Sequence, residues 1–529
     1  MRPFMLCMVV FLVASGCETK VYKQTGEVTS PVNRNIQKVG LYVDPDLPEK
    51  LSNSVQYPPG FFKAESQETV DFKLAISDVR PVSTWIYALV APFPTVEDGI
   101  SLEELRNTWE GKQGGDPLLL DESTLNVFTK VWGEPGDGGL TIIAREDLLD
   151  YAWSNQPSRA LLSFEDLEPR WKVLEIDGQK PIDKNFDASR YPLKIPVSLE
   201  GEDQAAEAII SVYGEELLPK SNREEYKLSD LAMTGVTALV RATAFTMENE
   251  GVLYPGKDIR DWLRSADLTH ISNEVSFADD CPYPNPVQQG VQFCSDPDYI
   301  KLLEDVGADI VELSGDHIGD WGEVAVHQTL EMYRTQGWET YAGGANLMES
   351  RNPVRIEVRG NRIAFIGCNA KDSGFTPSSH DSPGASSCTG SWMQEQISQL
   401  KEDGYLPVVT FQHNEYYTYE AQPDQIEDFR EMADSGAVIV SGSQAHQPQA
   451  FEFYDSAFIH YGLGNLFFDQ YDLNPATRQG FIDRHVFYAG KHISTELLTI
   501  VFMDYARPRP MNAGERRELL EKVFAASRW

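Results

Sequence analysis

Five apolar runs in the second half of the sequence each end in a short polar segment that could hold a cation or move a proton. Residues 267–271 lead to Asn273 and Glu274, and residues 309–313 lead to Asp316, His317 and Asp320. Residues 406–411 lead to Gln412, His413, Asn414 and Glu415, residues 437–440 to Ser443, Gln444 and His446, and residues 458–461 to Gly464 and Asn465. All 9 histidines fall between His270 and His492. Histidine is both the commonest metal ligand and a general acid or base near neutral pH. Carboxylate, amide and imidazole donors without thiolates suit borderline-to-hard divalent ions such as Mn, Zn or Fe, as one ion or as a two-metal site.

Such residues meet only if the fold carries them to one place. The runs read as strands, with helical stretches between them; residues 299–306, for example, set Ile300, Leu303 and Val306 on one face. Strands alternating with helices form an α/β fold, whose reactive loops gather at one end of the sheet. A chain of 529 residues exceeds one ordinary core. The sequence divides into a first α/β region over residues 38–214, a charged linker over 215–231, a second α/β domain over 232–505 and a basic helical tail over 506–529. In the first region, strand candidates are residues 39–43, 72–76, 85–93 and 172–176. Ser101, with Glu104 three residues on, forms a capping-box pattern, and Ser123 opens a second helix.

A net charge of −36 excludes nucleic acid and anionic lipid surfaces as partners, because both require basic patches. It suits a solvated acidic surface. At the N-terminus, Arg2 is followed by a short apolar stretch over residues 4–14 and then Ser15-Gly16-Cys17. This stretch is too short to span a bilayer. It resembles a bacterial lipoprotein signal over residues 1–17, followed by a polar tether over 18–37. The resemblance implies cleavage before Cys17, lipid attachment there, and export to the outer face of a bacterial membrane; a soluble secreted protein is the alternative. With Cys7 and Cys17 set aside, four cysteines remain. An even count in an exported chain points to two disulfides, and Cys281–Cys294 with Cys368–Cys388 is the most local of three pairings.

The ordered motifs carry a family resemblance. They are Asn273-Glu274, Asp316-His317 with Asp320 and Gly322, Tyr341-Ala342-Gly343-Gly344-Ala345-Asn346 with Pro353, the His413–Tyr416 loop, Gly442 with Ala445-His446, and the run from Tyr461 to Asp469. Over residues 235–470 the sequence resembles the poly-γ-glutamate capsule biosynthesis proteins of the CapA type, which are similar to calcineurin-like metallophosphoesterases. That kinship implies a C-terminal four-layer αββα sandwich preceded by a smaller α/β domain. It assigns Asn273, Glu274, Asp316, His413 and His446 to metal, with Gln412 competing for the slot of His413. It assigns His317 and Asp320 to catalysis, and Arg241, His460 and Asn465 to substrate. Two ligand positions depart from the family pattern: Val236 stands where an aspartate is usual, and Ser443 where a histidine is usual. Either one ion remains, or Asp316 and His460 compensate, or the site binds without catalysing. The first region, through residues 85–93, 107–111 and 160–169, resembles part of an extracytoplasmic solute-binding protein.

Several residues have plainer readings. His270 fits a satisfied interior position, His327 a helix surface, and His380 a loop, while His485 and His492 lie beyond the last motif. Asp320 could cap the following helix. Two functional readings compete: a metal-dependent hydrolase or transferase acting on a phosphoester or polymer bond, and a non-catalytic protein that holds an anionic cell-surface polymer or its assembly machinery. In a third reading, the first domain senses a solute and gates the second.

Overall fold

The computed structural model describes residues 38–529 apart from residues 113 and 114. The signal, the tether and Cys17 lie outside the described residues. No helix among them is long and apolar enough to cross a membrane.

The first domain is a mixed sheet ordered Phe61–Lys63, Val39–Val43, Phe72–Ile76, Lys194–Gly201, Pro81–Pro92, Arg159–Ser163, Leu118–Leu120, Leu140–Ile142. Ser101 caps the helix Leu102–Trp109, accepting from the backbone N–H of Glu104 at 3.1 Å. The cap of the next helix, Glu122–Trp132, is Asp121, which accepts from Thr124 N; Ser123 is already helical. The linker is packed against this domain. Its first residues end the helix Asp203–Leu217, and Asn222 bonds the N–H and C=O of Ile86 at 2.8 and 2.9 Å.

Beside a short two-stranded sheet of Gly343–Gly344 and Gly384–Ala385, the second domain is built on two large sheets. One runs Glu339–Tyr341, Ile310–Glu312, Leu268–Asn273, Leu228–Thr234, Gln479–Tyr488, Lys491–Phe502, Pro508–Pro510. The other runs Val354–Val358, Asn361–Asn369, Leu406–Gln412, Ile439–Ser443, Ala457–His460, Phe451–Tyr454. Strand side chains alternate between faces with a period of two, and the packing follows that count. Leu268, Ile310, Phe365, Val408, Ile439 and Phe458 meet in one core between the sheets. Their neighbours Ile271 and Val311 pack outward with Leu302, Leu303 and Leu330 of the covering helices. On the far side, Ile366, Val409, Val440 and Ile459 pack with Ile397 and Phe429. Helices therefore cover both outer faces, which gives the αββα sandwich.

The C-terminal segment belongs to this domain rather than trailing from it. Pro508–Pro510 adds an edge strand to Lys491–Phe502, and Leu519, Leu520, Val523 and Phe524 of the helix Ala513–Ala526 enter the inter-sheet core. Phe93 of the first domain enters the same core, edge-on to Phe451, Phe453 and Phe458 with ring centroids 5.7, 5.2 and 5.6 Å away. Arg516 to Asp98, at 2.7 Å, and Lys180 to Glu496 tie the two domains across this seam. Both expected disulfides are present, Cys281–Cys294 and Cys368–Cys388.

Candidate functional site

The parallel strands of both sheets run the same way from one end of the sandwich. Their C-terminal ends form a rim, and the count of two selects what points into it. From the inward residues Leu268 and His270 the count reaches Glu274. From Ile310 and Glu312 it reaches Asp316, from Phe365 and Asn369 it reaches Lys371, and from Val408 and Thr410 it reaches Gln412. These four converge. One ligand atom from each of Glu274, Asp316 and His317 lies within 4.8 Å of the others, the only such three-donor group among the described residues. Lys371 Nζ donates to Asp316 Oδ2 at 2.7 Å. Gln412 Nε2 donates to Glu274 Oε2 at 3.1 Å and to Asp316 Oδ1 at 3.3 Å, while its own Oε1 accepts from Asn369 at 2.6 Å. Gln444 Nε2 reaches both oxygens of Asp316, at 3.4 and 3.3 Å. Gly315 lets the loop cross this close, because a Cβ there would lie 2.2 Å from Glu274 Cα.

The electrostatics follow from burial. Glu274 is 1% and Asp316 4% exposed. Burial, together with the Asp316 carboxylate beside it, pushes the Glu274 carboxyl well above its usual range. For His317, burial opposes the charged form. The hydrogen bond to Asp320 and the carboxylates of Glu274 and Asp316 outweigh it and raise the imidazole to about 9. His317 Nδ1 donates to Asp320 Oδ2 at 2.7 Å, which leaves Nε2 turned toward Asp316 at 3.8 Å. The same Asp320 oxygen accepts the backbone N–H of Phe293 at 2.9 Å, and the Phe293 ring packs on His317 with centroids 4.7 Å apart. Asp320 thus orients His317. The cap of the next helix is Gly322.

Other expected residues take different places. Asn273 has the opposite parity to Glu274 and points outward, donating to Tyr333 Oη at 2.7 Å and to Val275 O at 2.8 Å. His413 is likewise outward, held by Asp428 at 2.9 Å between its strand and a covering helix; Gln412 occupies the rim in its stead. His446 stands outside the three-donor group. Its Nδ1 donates to Asn465 Oδ1 at 2.8 Å and Asn465 Nδ2 returns to its backbone carbonyl at 3.2 Å, so Asn465 clamps His446 instead of facing a substrate. Burial lowers the His446 imidazole. His460 cannot touch substrate. It is 0% exposed between the sheets, on the inward parity of Phe458, and bonds Asp483 at 2.6 Å. Arg241 lies beside the rim, paired with Asp469 and sandwiched by Phe293 and Phe468 at 5.2 and 5.0 Å. Gln444 and His446 both hold positive φ, 81° and 55°, as does Arg241 at 45°. Non-glycine residues in this region carry local strain of about 1–3 kcal/mol each, and three of them stand around this site.

Lys371 is the contributor that motif reading passed over; Gln412 stood as the rival to His413, and Gln444 and Glu415 lay in the polar segments without an assigned role. The parity count was the available signal for Lys371 and Gln412. No such signal existed for Gln444, which the positive φ turns into the site.

The donor set fits a single divalent ion. Glu274 Oε1 is buried with no hydrogen-bond partner, inside a group of three donors. It makes no provision for a second. Val236 packs with Ala238, Val240, Val275, Phe293 and Phe468 in an apolar cluster, and Ser443 gives its hydroxyl to Phe411 O at 3.3 Å.

Residues 230–470 match the family model described as bacterial capsule synthesis protein PGA_cap. The matched residues lie within the C-terminal domain, which is similar to this family. The "Capsule biosynthesis protein CapA" of Bacillus anthracis is 24% identical over 262 residues, a stretch covering 48% of this chain and 63% of that protein, so the match spans less than two thirds of the relative. Among solved structures, a 5'-nucleotidase precursor from Thermus thermophilus is similar at 13% identity and a TM-score of 0.34, covering 56% of this chain and 57% of that one. An ABC-type phosphate transport receptor from Vibrio cholerae is similar at 12% identity and a TM-score of 0.27, covering 34% of this chain and 96% of its own. In the C-terminal domain, Gln412 takes the rim position for which the sequence resemblance set it against His413, and Val236 stands where that resemblance expects an aspartate.

Proposed function

We propose that this protein acts in the biosynthesis of an anionic cell-surface polymer of the poly-γ-glutamate type, and that its CapA-type domain carries a hydrolase- or transferase-type site for one divalent ion. The observation that carries this reading is the open Oε1 of Glu274, a fully buried carboxylate oxygen without a partner beside Asp316 and His317. Glu274 and Asp316 would hold the ion, and Mn, Zn or Fe suits such donors. A divalent ion there supplies Lewis-acid polarisation of the scissile group. His317, fixed through Nδ1 by Asp320, presents Nε2 as the proton donor to a leaving group. Gln412 and Gln444 keep the carboxylates in register, and the Arg241–Asp469 pair closes the rim.

A lipid anchor at Cys17 on the outer face of the membrane would place this site where such a polymer is assembled, with the first domain docking the polymer or its assembly machinery. The test is to measure bound metal in the purified protein and to compare turnover of a chromogenic phosphodiester with that of His317→Ala. One metal equivalent, with turnover abolished in the variant, supports the reading. A metal-free, inactive protein sinks it in favour of a non-catalytic polymer-binding protein. That second reading draws on Lys371, Gln412 and Gln444, which already donate to the carboxylates.

A further inference from the structure

Two carboxylates buried this close repel each other, and the cation that offsets them is part of the chain. Lys371 lies just beyond the strand Asn361–Asn369 on its inward parity, and its ammonium bonds Asp316 at 2.7 Å. It stands 3.9 Å from Glu415. Its placement is built rather than incidental. Lys371 N–H donates to Asn369 Oδ1 at 2.9 Å, while Asn369 Nδ2 donates to Ser314 O at 2.8 Å and to Gln412 Oε1 at 2.6 Å. Ala370 N–H is fixed to Gln412 O at 2.8 Å, and the Cys368–Cys388 disulfide holds the strand end from its other face. Of the other cations nearby, Arg241 is spent on Asp469, and His317 is held by Asp320 with its Nε2 3.8 Å from Asp316, farther than the ammonium. On the side where a second ion would need a ligand, Val236 and its apolar cluster offer none.

The geometry points to Lys371 as the resident cation of this site. It neutralises Asp316 and opposes a divalent ion drawn to the open oxygen of Glu274. This rests on reading the cluster as a cation site. A dication that shared Asp316 would stand beside the like charge of the ammonium, so Lys371 weakens such binding while it remains. Removing the charge should therefore improve metal binding, whereas deleting a ligand or a purely structural residue would weaken it.

The experiment is equilibrium dialysis of the full chain against Mn²⁺, with bound metal counted and free Mn²⁺ read by electron paramagnetic resonance, for the wild type, Lys371→Met and Lys371→Arg. The expected result is one ion in the wild type and in Lys371→Arg. Lys371→Met should still hold one ion but bind it at least tenfold more tightly. Equal or weaker binding in a folded Lys371→Met protein overturns the proposal. Lys371→Gln, which keeps a donor without the charge, gives the same reading if the methionine variant does not fold. A wild type that takes no ion beside a Lys371→Met that takes one supports the resident cation and removes the hydrolase reading. Metal binding absent from both overturns the resident cation as well.

Discussion

Asp320 accepts the Nδ1 proton of His317 at 2.7 Å and, with the same oxygen, the backbone N–H of Phe293 at 2.9 Å. The carboxylate therefore fixes both the ring's orientation and its tautomer, and it favours the charged form. In Asp320→Asn the imidazole should lose its largest supporting partner. Histidine NMR titration of the metal-free protein should find the His317 pKa falling from about 9 toward the ordinary value near 6.5. Phosphodiester turnover should fall roughly 10–100-fold, as for other supports of site residues. An unchanged titration would mean that the carboxylates of Glu274 and Asp316 alone hold the charge.

Glu274→Gln separates metal binding from folding. Burial and Asp316 raise the Glu274 carboxyl to about 8, so without metal it is largely uncharged near pH 7, and the neutral glutamine should leave the metal-free melting temperature about the same. Saturating Mn²⁺ should raise Tm in the wild type, by the free energy that a ligand binding only the native state contributes: about 2.7 kcal/mol at 100 times Kd. The variant should lose that rise. Differential scanning calorimetry with and without Mn²⁺ reads both effects.

Three buried histidines predict acid sensitivity. His270 bonds Tyr341 and lies 3.9 Å from Glu312, while His485 and His492 share Thr495. Burial lowers all three, His270 and His492 to about 3. The unfolded chain then binds protons that the native state refuses, so stability is full above about pH 6.5 and is lost as pH falls toward 3. At pH 5 the loss is about 2 kcal/mol for each of His270 and His492. Buried carboxyls such as Asp183, raised to about 6 by burial, work in the opposite sense. The comparison that isolates the histidine effect is His492→Gln, whose Tm should fall less steeply than the wild type between pH 7 and pH 5.

The two disulfides close loops of 13 and 20 residues. By loop entropy each should contribute about 3 kcal/mol. Cys368–Cys388 holds the strand end that carries Lys371, so Cys368→Ser with Cys388→Ser should both lower Tm and change Mn²⁺ affinity. Cys281→Ser with Cys294→Ser should disturb the Phe293 contact on His317. Denaturant titration and metal dialysis on the two double variants would distinguish the two bridges.

Phe93 is the first domain's insertion into the core of the second. Phe93→Ala should cost about 4 kcal/mol, the usual penalty for deleting a buried phenyl group. Much of that loss falls on the seam between domains, so calorimetry should resolve two unfolding transitions where the wild type gives one. A single transition in the variant would place the coupling instead in the Arg516–Asp98 and Lys180–Glu496 pairs.

The elements, and the end of the sheet where chemistry gathers, are written in the chain itself. Apolar runs punctuated by polar segments read directly as strands and loops, because backbone periodicity and local turn chemistry are short-range. Glu274, Asp316, His317 and Asp320 were legible for the same reason: each lies just past its strand in a short polar motif. The disulfide partners lay close enough in sequence to be paired by proximity. Which of two adjacent residues enters the rim was settled by packing. Asn273 against Glu274, and His413 against Gln412, differ by one residue, and only the burial of one strand face on the opposite sheet selects between them. Packing also made His460 part of the core, joined the C-terminal helix to the second domain, and brought Lys371 and Gln444 to Asp316 from 55 and 128 residues away. Charge neutralisation among buried groups is a three-dimensional requirement, and no spacing along one chain records which distant side chain will meet it.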